Sequence, residues 1–126
     1  MSVFQFKHFS IIQKDAAMKV GTDAMLLGAF VETENKQEGL DIGTGTGVIA
    51  LMLAQKNESL FIDSVEIDER TANEANLNFQ NSSWSDRLKV HNTDFLKIDF
   101  EKQYDLIVSK PPYFSTSKLI RQTVVK

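Results

Sequence analysis

One stretch constrains the fold more than any other: Leu40-Asp41-Ile42-Gly43-Thr44-Gly45-Thr46-Gly47-Val48-Ile49-Ala50-Leu51. Leu40 and Ile42 are strand-like, and Val48 to Lys56 contains neither Gly nor Pro, as a helix requires. Between them, Gly43, Gly45 and Gly47 permit positive φ and let a ligand approach the backbone with no Cβ in the way. A strand, a glycine turn and a helix start predict an α/β fold with ligand binding at the strand's carboxyl end. The spacing separates kinds of ligand. The G-x-G-x-x-G of dinucleotide folds fails because Val48 stands where the third glycine belongs, and a phosphate-binding P-loop fails because no Lys follows Gly47.

The rest of the chain supplies companion elements. Val3 to Ile12 begins with alternating apolar and polar residues and predicts a strand or hairpin. Thr22 or Asp23 is suited to cap a following helix whose apolar face is Ala24, Leu26, Leu27 and Phe30. Glu32 to Glu38 is a polar loop, and Leu60 to Ile67 a second strand. Glu66 then falls about twenty residues beyond the glycine loop, where an acidic side chain accepts hydrogen bonds from ribose hydroxyls. Asp68 is placed to cap a helix from Glu69 to Gln80 with Ala72, Ala75 and Phe79 on one face. Leu88 to His91 is a short third strand. At its end Asp94 can accept from an adenine amine or cap a turn, and Phe95 can pack on the ring. Tyr104 to Ser109 is the fourth strand, its Leu106-Ile107-Val108 run typical of burial on both faces. Right-handed connections predict the strand order 3-2-1-4, with helices on both faces of the sheet. Ser109-Lys110-Pro111-Pro112-Tyr113-Phe114 follows, two prolines stiffening the backbone so that the aromatics face outward for stacking.

Composition excludes several classes of function. A net charge of −3 argues against nucleic-acid binding by bulk charge, which leaves only a local basic patch for that role. Without Cys there is neither a disulfide framework nor a thiolate metal site, and His8 and His91 alone do not suggest a metal centre. No apolar run is long enough to span a membrane, so the expected location is the cytoplasm.

The pattern D-x-G-x-G-x-G resembles motif I of the class I S-adenosylmethionine-dependent methyltransferases, and Lys110-Pro111-Pro112-Tyr113 resembles their N/D-P-P-Y/F motif IV. The segments Phe6 to Gln13, Met18 to Asp23 and Leu26 to Phe30 further resemble the N-terminal signature of the bacterial tRNA1(Val) adenine-N(6)-methyltransferase family. That resemblance implies a Rossmann-like fold and S-adenosylmethionine as cofactor. It places Asp41, Gly43, Gly45, Gly47 and Glu66 against the cofactor, Asp94 and Phe95 at its adenine, and Thr22 and Asp23 nearby. Lys110, Pro111, Pro112 and Tyr113 would frame an adenine flipped out of a tRNA anticodon loop.

The chain departs from the family at two points. Lys110 replaces an Asn whose oxygen would accept a hydrogen from the target amine; a lysine offers donors and no acceptor. The family's sheet has seven strands, and four are predicted here. Residues 1–126 therefore read as one N-terminal portion of such a domain, a cap segment at 1–35 and a truncated core at 36–126, expected to be catalytically inactive. The fourth strand is expected to have a bare edge inviting self-association. Two other readings stand beside this one: a protein-glutamine methyltransferase, whose planar amide suits a P-P-Y loop, and a non-catalytic cofactor-binding fragment.

Overall fold

The structure is a computed structural model that describes residues 3–6, 8–14, 22–99, 102–109 and 124–125. Strands β1 (Val3–Gln5) and β2 (Ser10–Ile12) form an antiparallel hairpin, followed by helix α1 (Thr22–Phe30). The main sheet collects β3 (Glu38–Ile42), β4 (Phe61–Glu66), β5 (Leu88–Asn92), β6 (Leu106–Ser109) and β7 (Val124–Val125). Helices α2 (Val48–Lys56) and α3 (Glu69–Gln80) connect β3 to β4 and β4 to β5. The sheet order is β5-β4-β3-β6-β7, parallel except for β7. The first four strands thus take the predicted 3-2-1-4 order, the arrangement of a Rossmann-like α/β fold with its switch point beside β3.

Local chemistry explains the helices. Asp68 caps α3 as expected, its Oδ2 accepting from the Thr71 amide at 2.9 Å and the Thr71 hydroxyl at 2.6 Å. The exposed carbonyls at two helix ends are each met by a cation. Lys56 donates to Gly28 O, Ala29 O and Val31 O at the end of α1. The Arg87 guanidinium donates to Ala54 O in the last turn of α2 and to Asn57 O and Leu60 O beyond it. Helices α1 and α2 approach closely at Gly28, where a Cβ would lie 2.5 Å from Met52 Sδ.

The core has two parts. The larger gathers Phe9 and Ile11 of the hairpin region, Ala24 and Leu27 of α1, the apolar face of α2, Phe79 of α3, and Ile62, Leu106 and Val108 of the sheet. The smaller holds Leu40, Val65 and Tyr104, with Ile42 and Ile107 packed against them.

Several expectations change. Among the described residues no helical residue joins the smaller cluster, so helices on both faces are not what this part of the chain shows. The path β3-α2-β4-α3-β5 steps in one direction, so right-handed crossovers put both helices on one face. The return from β5 to β6 carries only the 3-10 turn Phe95–Lys97 among its described residues. The fourth strand starts at Leu106, not Tyr104, and its outer edge is not bare: Leu106 and Ile107 pair with Val125 and Val124. The sheet therefore does not stop at four strands. Phe30 is 65% exposed, because the buried stripe of α1 is Ala24, Leu27 and Gly28, continued by Val31 just past its end, and Leu26 with Phe30 forms the stripe beside it.

Candidate functional site

The carboxyl ends of β3, β4 and β5 converge on the glycine loop. Gly43, Gly45 and Gly47 take φ of 74°, 57° and 89°, the left-handed region where side chains are strained. Their surroundings divide their roles. A Cβ on Gly43 or Gly45 would meet no heavy atom within 4 Å, so space lies directly against the loop backbone. A Cβ on Gly47 would come within 2.6 Å of the Phe79 ring, so this glycine exists for packing on α3. Gly47 also precedes α2 without offering any side-chain cap to the helix amides.

The loop is tied to the neighbouring strand. The Gly43 and Thr44 amides donate to Val65 O at 2.8 and 3.0 Å. The Gly45 amide donates to Glu66 Oε1 at 2.9 Å, and Glu66 Oε2 accepts from the Asp68 amide at 3.1 Å. Glu66 is half-buried, so its carboxylate both fastens the loop and borders the open space above it. Asn92 at the end of β5 donates to Glu66 O and Ile67 O, and the Thr93 amide also donates to Glu66 O. Sequence reasoning did not single out Asn92, although an amide at a strand end facing another strand's last residues is a usual bracing position.

Asp41 is fully buried beneath the loop. Thr44 Oγ1 donates to its Oδ2 at 2.8 Å, and Oδ1 has no partner. Burial pushes its pKa up to about 6; the Thr44 bond pulls it down, and the nearby Glu66 charge adds to the rise. Ser64, directly opposite Asp41 in the register, is buried with an unpartnered hydroxyl of its own.

Asp94 caps the turn after β5, its Oδ1 accepting from the Leu96 amide at 3.0 Å, which is the turn-capping reading of this residue. Phe95, Leu96 and Ile67 stand exposed beside it at 38%, 87% and 68%. Thr22 and Asp23 are the first residues of α1 rather than residues preceding it. Lys110, Pro111, Pro112 and Tyr113 lie outside the described residues. Among the described residues no group of acidic, His or Cys side chains is arranged to hold a metal, and no helix is long and apolar enough to cross a membrane.

A second polar cluster was not anticipated. Asp63 on β4 accepts from the Tyr104 hydroxyl at 2.6 Å, from Lys102 at 3.1 Å, and contacts His91 Nε2 at 3.3 Å. Its members come from three places in the chain, with no periodicity to announce them.

Comparison with known proteins gives concordant results. The sequence profile of the methyltransferase small domain matches residues 9–126. A tRNA1(Val) (adenine(37)-N6)-methyltransferase of Trichodesmium erythraeum is 53% identical over 118 residues, covering 90% of this chain and 49% of the relative. One from Vibrio vulnificus is 42% identical over 120 residues, covering 95% and 50%. The chain spans about half the length of the curated relatives it matches. Among solved structures, P. horikoshii TYW2 in complex with MeSAdo superimposes with a TM-score of 0.70 at 16% identity, over 85% of this chain and 41% of that one, a likeness of fold.

Proposed function

The chain belongs to the methyltransferase small domain family, and from that premise we propose that it binds S-adenosylmethionine at the Gly43 to Gly47 loop and serves methylation of an adenine amine in tRNA. The observation that carries this reading is the open space over Gly43 and Gly45 beside the Glu66 carboxylate. A ligand with a diol next to a compact, chain-like arm fits such a place. Glu66 would accept from the ribose hydroxyls while still holding Gly45. Asp41 lies under the loop with one oxygen unspent, and Thr44 keeps it oriented. Phe95 and Ile67 supply exposed apolar surface for a planar base, and Asp94 sits at the same strand end. Thr22 and Asp23 are assigned to the rim of the site. The cofactor, when bound, supplies an activated methyl group. The adenine acceptor follows from the names of the relatives in Trichodesmium and Vibrio. Lys110, Pro111, Pro112 and Tyr113 are the residues assigned to the base, with Lys110 unable to accept from its amine.

Calorimetric titration with S-adenosylhomocysteine tests the cofactor. The wild-type chain should bind, and Glu66→Ala should lose about 1.5–3 kcal/mol, the scale of hydrogen bonds to a charged group. Unchanged affinity would remove Glu66 from the site. The acceptor is read by incubating a full-length relative with methyl-labelled cofactor, tRNA and a release factor, then digesting the RNA to nucleosides and the protein to amino acids. N6-methyladenosine supports the reading, and label on a protein glutamine would replace it.

A further inference from the structure

The last turn of α3 touches the glycine loop twice, through Phe79 beneath Gly47 and through Asn78. Asn78 is 1% exposed and commits its whole amide to backbone. Its Oδ1 accepts from the Ile12 amide at 2.7 Å, and its Nδ2 donates to Ile12 O at 3.0 Å and Thr46 O at 2.8 Å. Toward Ile12 it behaves as a neighbouring strand would, exchanging one bond in each direction with a single residue. Toward Thr46 it does something different. Thr46 lies between two left-handed glycines, whose peptides reorient at little steric cost. A peptide is planar, so fixing Thr46 O also fixes the direction of the Gly47 N–H, which donates to Thr44 O at 2.9 Å. One buried side chain therefore sets the loop and the hairpin together.

We propose that Asn78 is a positioning residue that couples the β1–β2 hairpin to the cofactor loop, so that the two order as one unit when a ligand fills the crevice. The inference rests on the cofactor reading above for its ligand, and on the hydrogen bonds alone for the coupling. Thr22 and Asp23 follow Ile12 by about ten residues in sequence, so the coupled hairpin leads into the segment assigned to the rim of the site. By reciprocity, whatever orders the hairpin raises ligand affinity, and the ligand protects the hairpin in turn.

Amide hydrogen exchange on the full chain, with and without S-adenosylhomocysteine, tests this. In wild type the ligand should slow exchange at Gly45, Gly47 and Ile12 together. Protection of the glycines with Ile12 unchanged would overturn the coupling. Asn78→Asp keeps the size and removes both donors, and Asn78→Leu removes donors and acceptor without adding charge. Either should weaken S-adenosylhomocysteine binding about tenfold and abolish the ligand's effect at Ile12. Wild-type affinity in a folded variant would overturn the proposal. If wild type shows no ligand protection at the glycines, the cofactor reading fails. The coupling is then decided without ligand: the variants should speed exchange at Ile12 and Gly47 together, and acceleration at only one would refute it.

Discussion

Asp41 and Asp63 lie on adjacent strands, one register step apart, and both are buried. Asp41 has a single hydrogen-bond donor, Thr44, and one oxygen with no partner. Burial outweighs that donor, and the carboxyl is pushed up to about 6. Asp63 is also pushed up by burial. Hydrogen bonds from Tyr104, His91 and Lys102, and the Lys102 charge, reverse this and hold it below the ordinary carboxylate value. Its partners respond in kind. The Tyr104 phenol is pushed above its usual range by burial and by the Asp63 carboxylate. Lys102 loses some basicity to burial but gains more from Glu38 and Asp63, so its pKa is raised. Burial is common to the two aspartates, and the number of donors separates them. The satisfied one sits in mid-sheet and fastens β4 to β5 and to the approach to β6. The under-satisfied one sits beneath the glycine loop, where an incoming ligand can change its surroundings.

The comparison can be broken at three points. Asp63→Ala should be the costliest, about 1.5–3 kcal/mol in urea unfolding, because the Tyr104 hydroxyl loses a charged acceptor inside the core. A loss under about 1 kcal/mol would mean that Lys102, His91 and Tyr104 satisfy one another without it. Asp41 has the opposite sign. Its folded pKa exceeds the unfolded value of 3.8, so the folded state binds the extra proton and stability falls as pH rises from about 4 to 6. The stability of wild type relative to Asp41→Asn should thus decline across that window by no more than roughly 3 kcal/mol. Parallel pH profiles would show that Asp41 ionises freely. The smallest effect is expected from Thr44→Val, about 1 kcal/mol at pH 5, together with a further rise in the pH at which Asp41 ionises. An Asp41 carbon resonance that titrates at the wild-type pH in this variant would dismiss the bond as an influence.

These contrasts also show where sequence reasoning succeeds. The glycine loop is legible because its requirement is local: three residues must adopt positive φ within a strand-turn-helix frame, and all three do. Helix α3 is legible from the capping aspartate and the spacing of Ala72, Ala75 and Phe79, and it runs from Glu69 to Gln80 as expected. The position of Glu66 at a strand end is legible from its distance to the loop, but its bond to the Gly45 amide is not. In sequence Asp63 is one polar residue within a mostly apolar strand, and nothing local announces its bond to Tyr104, 41 residues away. Asn78 gave no signal, because its partners lie 32 and 66 residues distant and its own helix is rich in Asn. What depends on neighbours in sequence was visible, and what depends on side chains meeting across the fold was not.

The strand order carries a further consequence for a chain made one residue at a time. β3 lies between β4 and β6, and its β6 partner follows about sixty residues later. β4, β5 and the helices between them emerge first and can close one flank of β3. The other flank, Gly39 to Ile42, waits for the ribosome to deliver Leu106 to Ser109. At typical synthesis rates of about 5–20 residues per second that interval is roughly 3–13 s. During it the strand that leads into the glycine loop presents a row of unpaired backbone groups, an open edge that another chain could pair with.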